Sequence, residues 1–430
     1  MPPVDGSGMI PNGVAVIRRR EASMKLSRRV LLVGALAGVS PFVGQAQSST
    51  GRSVLYAAVG TELTQYDVDV SGAALTKKGS VTLPDMVQYA WQHPSRKYLY
   101  VAWSNGAGKD HHGVSAYRID AKTGVLSLLG GPVALANRPI HLSVDIPGTH
   151  ALIAYSEPSG VTVHNLAADG TVGSEVRQPE KLDTGIYAHQ VRVDPSNRTV
   201  ILVTRGNGPT NTKAEDPGAL KVFEYKDGVL KNRQSVAPDR GFGFQPRHLD
   251  FEGPWLFVSL ERQSKLQTFK KMADGTLSTE PLFTKDSLPM PRAGQAAGTV
   301  HVHPNGKFVY QANRAGGTLE YQGKRVSAGG ENSIAVYAIK QETGEPVQIQ
   351  TIDTRGFVPR TFALDASGRI LVAANQNAML VRDGDTVKMV PASLAVFRVG
   401  SDGKLDYVRK YDVPADDVRT MFWMGIVALP

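Results

Sequence analysis

A short hairpin pattern recurs along the chain, with alternating polar and apolar residues on both sides of a tight turn. Each copy has a strand with an aromatic residue or a histidine near its end, a turn that ends in glycine, and a short second strand. Asp-Gly occurs in four of the turns, and this dipeptide is a strong hairpin signal because both positions favour a positive φ. The seven copies are TQYDVDVSGAAL, VSAYRIDAKTGVL, VTVHNLAADGTV, LKVFEYKDGVL, LQTFKKMADGTL, IAVYAIKQETGEPV and LAVFRVGSDGKL, with turn glycines Gly72, Gly124, Gly170, Gly228, Gly275, Gly344 and Gly403.

A second strand pair lies between successive hairpins, as in HQVRVDPSNRTVILVTR and VHVHPNGKFVYQANR. Four strands per unit, repeated seven times, predict an all-β fold, a seven-bladed β-propeller with four antiparallel strands in each blade. No long segment between the strands has helical periodicity, which disfavours a doubly wound or barrel α/β fold. The first unit, near Val54, lacks its own opening strand, and the C-terminal segment RTMFWMGIVAL is a strand without a hairpin. We therefore expect this C-terminal strand to complete the first blade and close the ring.

The N-terminal segment has the character of an export signal. Residues 24 to 46 have a basic start, an apolar stretch and then small residues before a cleavage site after Ala46. The pair Arg28 and Arg29 resembles a twin-arginine signal. Residues 1 to 46 are therefore predicted to be an N-terminal extension and a signal peptide, and residues 47 to 430 are predicted to form the propeller. Met24 is a candidate start of the protein. The alternative is a retained amphipathic or anchoring helix. Export predicts the twin-arginine machinery as a partner and a periplasmic or secreted location. We also expect a monomer.

Charge and composition narrow the ligand class. The formal charge of the chain is +9. Residues 1 to 46 contain six Lys/Arg and two Asp/Glu and account for +4 of this charge, so residues 47 to 430 carry +5. This mild excess suits a small acidic or lactone substrate, and the chain shows no basic cluster interleaved with aromatic residues that would indicate nucleic acid. The sequence contains no cysteine, which excludes disulfides, thiolate catalysis and zinc-cysteine sites.

Polar residues collect where the predicted first strands begin and the second strands end. Because these two strands are antiparallel, both sets belong to one mouth of the central channel. The first-strand positions are His141, His189, Arg247, His301 and Arg360, and the second-strand positions are Arg205, Glu261, Arg314, Asn375 and Gln376. Insertions at residues 206–219, 315–332 and 377–393 join second to third strands, so they are expected on the same face as walls or lids.

The motifs at these positions resemble the lactonase-type propeller family, which includes bacterial 6-phosphogluconolactonase and fungal carboxymuconate lactonizing enzyme. The segments that carry the resemblance are AHQVRVDPSNRTV, QPRHLDF, VSLER, ANRAGG, VPRTFALDASG and AANQ, in this order. The resemblance implies catalytic roles for His189, Arg247, Glu261 and Arg314. The remaining residues at the mouth, together with His248 of the QPRHLDF segment, are predicted to bind substrate: His141, His248, His301, Arg360, Asn375 and Gln376. Gln245 and Leu260 depart from the family, which usually has Gly and Asn there.

The predicted function is hydrolysis of a sugar or related lactone without a covalent nucleophile. Glu261 or His189 would activate water, and the arginines would stabilise the oxyanion and hold an acidic group. A carboxymuconate cyclase, or a non-catalytic propeller that binds acidic small molecules or a protein partner, is the alternative.

No cofactor and no metal are expected: the pair His301 and His303 lacks a carboxylate, and the loop Asp110-His111-His112 lacks a defined further ligand. A Gly-x-Ser-x-Gly elbow is absent from the sequence.

Overall fold

The computed structural model describes residues 51–290, 292, 294–416 and 419–430. The predicted export signal at residues 1–46 lies outside these described residues. Within the described part of the chain, no helix is long and apolar enough to cross a membrane.

Seven four-stranded antiparallel sheets form the blades of a propeller, as the hairpin repeat predicts. From the channel outwards, blade 1 contains β32 (Met421–Ala428), β1 (Ser53–Val59), β2 (Glu62–Asp69) and β3 (Ala74–Thr82). Blade 2 contains β4 (Met86–Gln92), β5 (Tyr98–Ser104), β6 (His112–Ile119) and β7 (Leu126–Ala134). Blade 3 contains β8 (Pro139–Val144), β9 (His150–Tyr155), β10 (Gly160–Leu166) and β11 (Val172–Glu175). Blade 4 contains β12 (Ala188–Val193), β13 (Thr199–Thr204), β14 (Ala219–Lys226) and β15 (Val229–Val236).

The last three blades follow the same order, and two of them carry an inserted hairpin. Blade 5 contains β16 (Pro246–Glu252), β17 (Trp255–Leu260), β18 (Lys265–Lys270) and β19 (Phe283–Asp286). Blade 6 contains β20 (Gln295–Val302), β21 (Phe308–Ala315), β24 (Ser333–Ile339) and β25 (Pro346–Asp353), with the inserted pair β22 (Thr318–Tyr321) and β23 (Lys324–Ser327). Blade 7 contains β26 (Phe357–Leu364), β27 (Ile370–Asn377), β30 (Ser393–Val399) and β31 (Leu405–Asp412), with the inserted pair β28 (Met379–Asp383) and β29 (Thr386–Val390). A short 3₁₀ turn at Pro238–Gly241 precedes blade 5.

The predicted closure by the C-terminal strand is confirmed. β32 pairs antiparallel with β1, from Ser53 opposite Ala428 to Val59 opposite Met421, so the innermost strand of blade 1 comes from the other end of the chain. Seven apolar clusters form the core, and each joins two neighbouring blades, including the cluster that joins blade 7 to blade 1. Burial between the blades therefore runs around the whole ring.

Six of the seven turn glycines have φ between 73° and 92°, a region that glycine adopts without the steric cost of a side chain. At Gly344 a Cβ atom would lie 2.4 Å from the Trp255 ring of the neighbouring blade. In the first hairpin the positive φ falls on Ala73 instead of Gly72. The turns thus hold the outer hairpins against the adjacent blades.

An irregularity that alternation does not predict recurs near the start of every innermost strand. In each blade the pairing between the first two strands shifts register at this point. The extra residue of a β-bulge is unpaired and its side chain takes a new direction. The single extra residues are Gln88, Ile140, His189, Arg247, Arg360 and Phe422, and in blade 6 the irregular stretch lies between Ala297 and Val300. Three of the predicted site residues therefore lie on bulges.

Candidate active site

Three arginines surround one carboxylate at the mouth where the first strands begin. Arg247 Nε donates to Glu261 Oε1 at 3.2 Å, and Arg314 Nη2 donates to the same oxygen at 2.6 Å. Arg205 Nη1 donates to Glu261 Oε2 at 3.0 Å. The structure thus brings together three of the four residues predicted to be catalytic, and it adds Arg205 from the end of β13.

The backbone fixes this cluster between blades 5 and 6. Glu261 directly follows β17; its N–H donates to the Gln245 carbonyl at 3.0 Å, and its carbonyl accepts from Ala297 N–H at 2.7 Å. Arg314 Nη2 also donates to the Ala297 carbonyl at 2.8 Å. Arg205 lies over the Tyr187 ring, 3.9 Å from its centroid. Glu261, Arg314 and Arg205 therefore each have a second contact that limits their movement.

The charges at the mouth perturb one another. Burial by itself would raise the pKa of Glu261, but the guanidinium groups of Arg247, Arg314 and Arg205 hold it well below its usual range. Burial together with the positive charge of Arg314 lowers the pKa of Arg247 to about 9, although Glu261 opposes this shift. Glu261 is consequently ionised at any ordinary pH, and it accepts hydrogen bonds instead of donating a proton.

Arg360 adds a further positive charge to the same mouth. Its guanidinium carbon lies 3.7 Å from the centroid of the Phe422 ring, and its Nε donates to the Phe422 carbonyl at 3.2 Å. Burial and the neighbouring charges of Arg247 and Arg314 lower its pKa well below the usual range. The mouth thus contains four guanidinium groups and one carboxylate, so it has an excess of three positive charges. The five residues are Arg205, Arg247, Arg314, Arg360 and Glu261. Such a site favours an anionic ligand or an oxygen that becomes negative during a reaction.

Buried imidazoles line the channel beside the arginines. The His189 and His248 ring centroids are 5.2 Å apart, and those of His248 and His141 are 6.0 Å apart. Burial, together with nearby positive charges that include Arg247 for His189 and His248, lowers the pKa of each ring well below 6.5. All three are therefore neutral imidazoles at neutral pH.

Several polar atoms at this place have no partner within the described protein. They are Nδ1 of His189, Nδ1 of His248, both ring nitrogens of His141, and Nη1 of Arg247. Arg247 is 1% exposed and His141 is completely buried. Buried polar atoms normally have a hydrogen-bond partner, often ordered water or a ligand. The concentration of unpaired donors and acceptors here marks the channel as a place for water or substrate.

The remaining predicted binding residues do not all reach this cluster. Asn375 is completely buried, and its amide donates at 2.7 Å to the carbonyl of Thr354, which lies in the connection between β25 and β26. Gln376 donates to Thr420 Oγ1 at 3.2 Å, beside the inserted hairpin of blade 7. His301 lies 5.1 Å from the Phe362 ring, and its Nδ1 is 3.6 Å from Asp250, further along the channel.

Sequence reasoning missed the charged group around Asp250. Arg192 Nη2 donates to Asp250 Oδ1 at 3.2 Å, and Val302 N–H donates to Oδ2 at 2.9 Å. Burial would raise the pKa of Asp250, but Arg192 and His301 lower it to about 2. Asp250 comes two residues after His248 on β16, so the period of a strand could have indicated it. A hollow of about 280 Å³ lies at this end and is lined by residues that include Trp91, His301 and Phe362.

The histidine pairs singled out as metal-like do not converge. His303 Nε2 lies 2.9 Å from the Gly368 carbonyl, and His111 Nδ1 lies 2.6 Å from Asp85, whereas His112 contacts Ser104 and the Lys109 carbonyl. Among the described residues, no three or more His, Cys, Asp or Glu side chains are arranged to hold a metal ion. A separate hollow of about 590 Å³, around Asp194 and Lys271, lies at the turns of the opposite face.

The fold and this mouth together define a closed seven-bladed propeller with an arginine-rich, imidazole-lined channel. The chain belongs to the family described as "Lactonase, 7-bladed beta-propeller", whose model matches residues 49–385. The 6-phosphogluconolactonase of Bacillus subtilis is 26% identical over 345 residues, which are 77% of this chain and 90% of that protein. The 6-phosphogluconolactonase of Pectobacterium carotovorum is 28% identical over 337 residues, 76% and 89% of the two chains. Both relatives carry the same activity name, so the comparisons support a lactonase-like function.

Solved structures agree with the fold. The periplasmic gluconolactonase of Pseudomonas aeruginosa has a TM-score of 0.64 and is 21% identical, covering 88% of this chain and 100% of its own. A structure from Bacteroides fragilis, described as a candidate 6-phosphogluconolactonase, has a TM-score of 0.64 at 17% identity and covers 88% of this chain and 99% of its own. At this identity the likeness extends to the architecture alone.

Proposed function

We propose that this protein is an exported lactone hydrolase whose active site is the arginine-rich mouth of the channel. The observation that carries the proposal is the placement of an unpaired donor, Arg247 Nη1, in the same channel as the unpaired Nδ1 of the neutral His189 ring. A donor for a developing oxyanion and a base for water are the two parts that hydrolysis of an ester bond needs. The substrate is a sugar lactone or a related lactone, and the excess of positive charge suits one that carries or develops an acidic group.

In this proposal His189 is the base and Glu261 has a positioning role. Both Glu261 oxygens already accept hydrogen bonds from guanidinium groups, and those charges make the carboxylate a weak base. His189 takes a proton from water as the water oxygen attacks the lactone carbonyl, and Arg247 donates to the oxygen that becomes negative. The tetrahedral intermediate then breaks the ring C–O bond, and His189 returns its proton to the departing alkoxide. The product is a hydroxy acid, which ionises at neutral pH.

The test of this function is proton release, because opening a lactone yields an ionising acid. Purified protein without residues 1–46 is mixed with a panel that contains δ-gluconolactone, its 6-phosphate and simple δ-lactones, and base uptake is recorded at constant pH against the spontaneous rate. We expect uptake above the spontaneous rate for at least one lactone. Turnover of a muconate with no lactone hydrolysis would instead identify a cyclase. Saturable binding of gluconate without turnover of anything would identify a binding scaffold.

Export is the second part of the proposal. The basic start, the apolar stretch and Arg28–Arg29 support it, as does the periplasmic gluconolactonase among the structures of the same fold. Changing Arg28 and Arg29 to Lys is expected to leave the full-length precursor in the cytoplasm, since the twin-arginine route requires this pair. Cell fractionation and immunoblotting measure the result, with a variant carrying Lys at Arg18 and Arg19 as the matched control. Processing and export of the Arg28/Arg29 variant at the normal rate would contradict use of this route.

A further inference from the structure

The two inserted hairpins form a wall beside the active-site mouth. β22–β23 and β28–β29 both interrupt the connection between the second and third strands of their blades, which places them on the mouth face, as predicted for two of the three insertions. The hairpins also contact each other. The Arg382 guanidinium lies 4.7 Å from the centroid of the Tyr321 ring, and Gln322 Nε2 donates to the Asp385 carbonyl at 3.4 Å.

A hollow of about 550 Å³ lies between these hairpins. Its base is formed by residues next to the mouth residues in the chain: Gly316 comes two residues after Arg314, and Asn377 directly follows Gln376. Thr420, which also lines it, accepts the hydrogen bond from Gln376. The hollow therefore lies next to the ends of β21 and β27, the strands that carry Arg314 and Gln376.

The lining of this hollow is apolar along one wall. Met379, Leu380 and Met389 line it, and Met389 is 56% exposed. Methionine is flexible and polarisable and fits apolar groups of varied shape. Lys324 and Arg325 lie on the other hairpin, where Arg325 Nη2 donates to Thr318 Oγ1 at 2.8 Å. Long basic side chains cover apolar ligands with their methylene stems while the charged ends reach water.

We infer that the hollow binds an apolar arm of the substrate, so that the preferred substrate is a lactone substituted with an alkyl or aryl group instead of a bare ring. This inference rests on the proposed function and specifies its substrate class. A ring held at the arginines places its substituent towards Gly316 and Asn377, and the methionine wall then removes that substituent from water. Binding energy from such a non-reacting group raises kcat/KM for the substituted substrate.

The experiment compares δ-valerolactone with δ-decalactone, which is the same ring with a pentyl arm. For the wild type we expect kcat/KM to be at least about tenfold higher for δ-decalactone, the lower end of what apolar pockets achieve. Met389→Asp is expected to lower kcat/KM for δ-decalactone by about tenfold and to leave δ-valerolactone within about twofold, because it puts a charge on the apolar wall. Met272→Asp, an exposed methionine at the turns of the opposite face, is the matched control and leaves both values unchanged.

Equal kcat/KM for the two lactones in the wild type, or an equal loss on both in Met389→Asp, would overturn the inference and leave the proposed hydrolysis intact. If no lactone is hydrolysed, the proposed function fails, and calorimetric binding of 5-hydroxydecanoate decides the role of the hollow. Binding by the wild type that weakens in Met389→Asp but not in Met272→Asp supports the hollow as the site for the apolar arm. Absence of binding, or equal binding by all three proteins, overturns it.

Discussion

Deleting residues 420–430 is expected to abolish cooperative folding of the propeller. The deletion removes β32, the innermost strand of blade 1 and the strand that closes the ring. It also removes the buried side chains Met421, Trp423, Met424, Val427 and Leu429, which are at most 6% exposed. Truncating a single large buried side chain costs about 2–5 kcal/mol, and a whole domain is stable by only about 5–15 kcal/mol.

Differential scanning calorimetry of the protein without residues 1–46 measures this effect directly. The wild type is expected to show a sharp transition, and the truncated protein none. Removing only the exposed Pro430 is the matched control, because Leu429 keeps its N–H donating to the Arg52 carbonyl at 2.9 Å. A truncated protein with the melting temperature of the wild type would contradict the closure of the ring by β32.

Glu261→Gln is expected to destabilise the fold by about 3–5 kcal/mol, the usual cost of removing one partner from a buried ion pair. The amide keeps the shape of the side chain, but it leaves Arg247, Arg314 and Arg205 as neighbouring positive charges without their common carboxylate. Arg247 has a side chain only 2% exposed to solvent, so water does not replace the lost interaction. Because the arginines then shift, we also expect kcat/KM for lactone hydrolysis to fall by at least about tenfold.

Urea unfolding measures the change in stability, and Glu252→Gln is the matched control. Glu252 lies on β16 of the same blade, and burial, together with the negative charge of Asp250, raises the pKa of its carboxyl, so neutralising it costs little. We expect Glu252→Gln to remain within about 0.5 kcal/mol of the wild type. Glu261→Gln with wild-type stability and activity would show that the carboxylate does not hold the arginines in place.

The fold could be predicted from the sequence because its signals are local and repeated. A tight turn with glycine near its end marks the outer hairpin of each blade, and the count of seven follows directly from the turn glycines. Closure was predictable too, since one strand was missing at Val54 and one was left over at the C-terminus. In both cases the pattern needs only the period of a strand and the chemistry of a turn.

The detailed site could not be predicted to the same extent. Alternation assigns a side chain to one face of a strand, but the bulges at His189, Arg247 and Arg360 change this assignment, and nothing in the sequence marks them. The three contacts of Glu261 come from β13, β16 and β21, so their distances depend on the packing of three blades. Asp250 is the exception, since its spacing from His248 indicates a shared face. The predicted roles of His301, Asn375 and Gln376 in binding stay predictions.

If neutral His189 activates water for lactone hydrolysis at this mouth, the pH dependence of kcat/KM should differ between the wild type and His189→Gln. Burial and the charge of Arg247 lower the pKa of His189 below 6.5, and only the neutral ring accepts a proton. The wild-type rate, corrected for spontaneous opening, should therefore be flat at neutral pH and decrease as the pH falls through that lowered value. His189→Gln should be about 10²–10⁴-fold slower at neutral pH and lose this acid limb. Wild-type turnover by His189→Gln, with the acid limb unchanged, would contradict the assignment of His189 as the base.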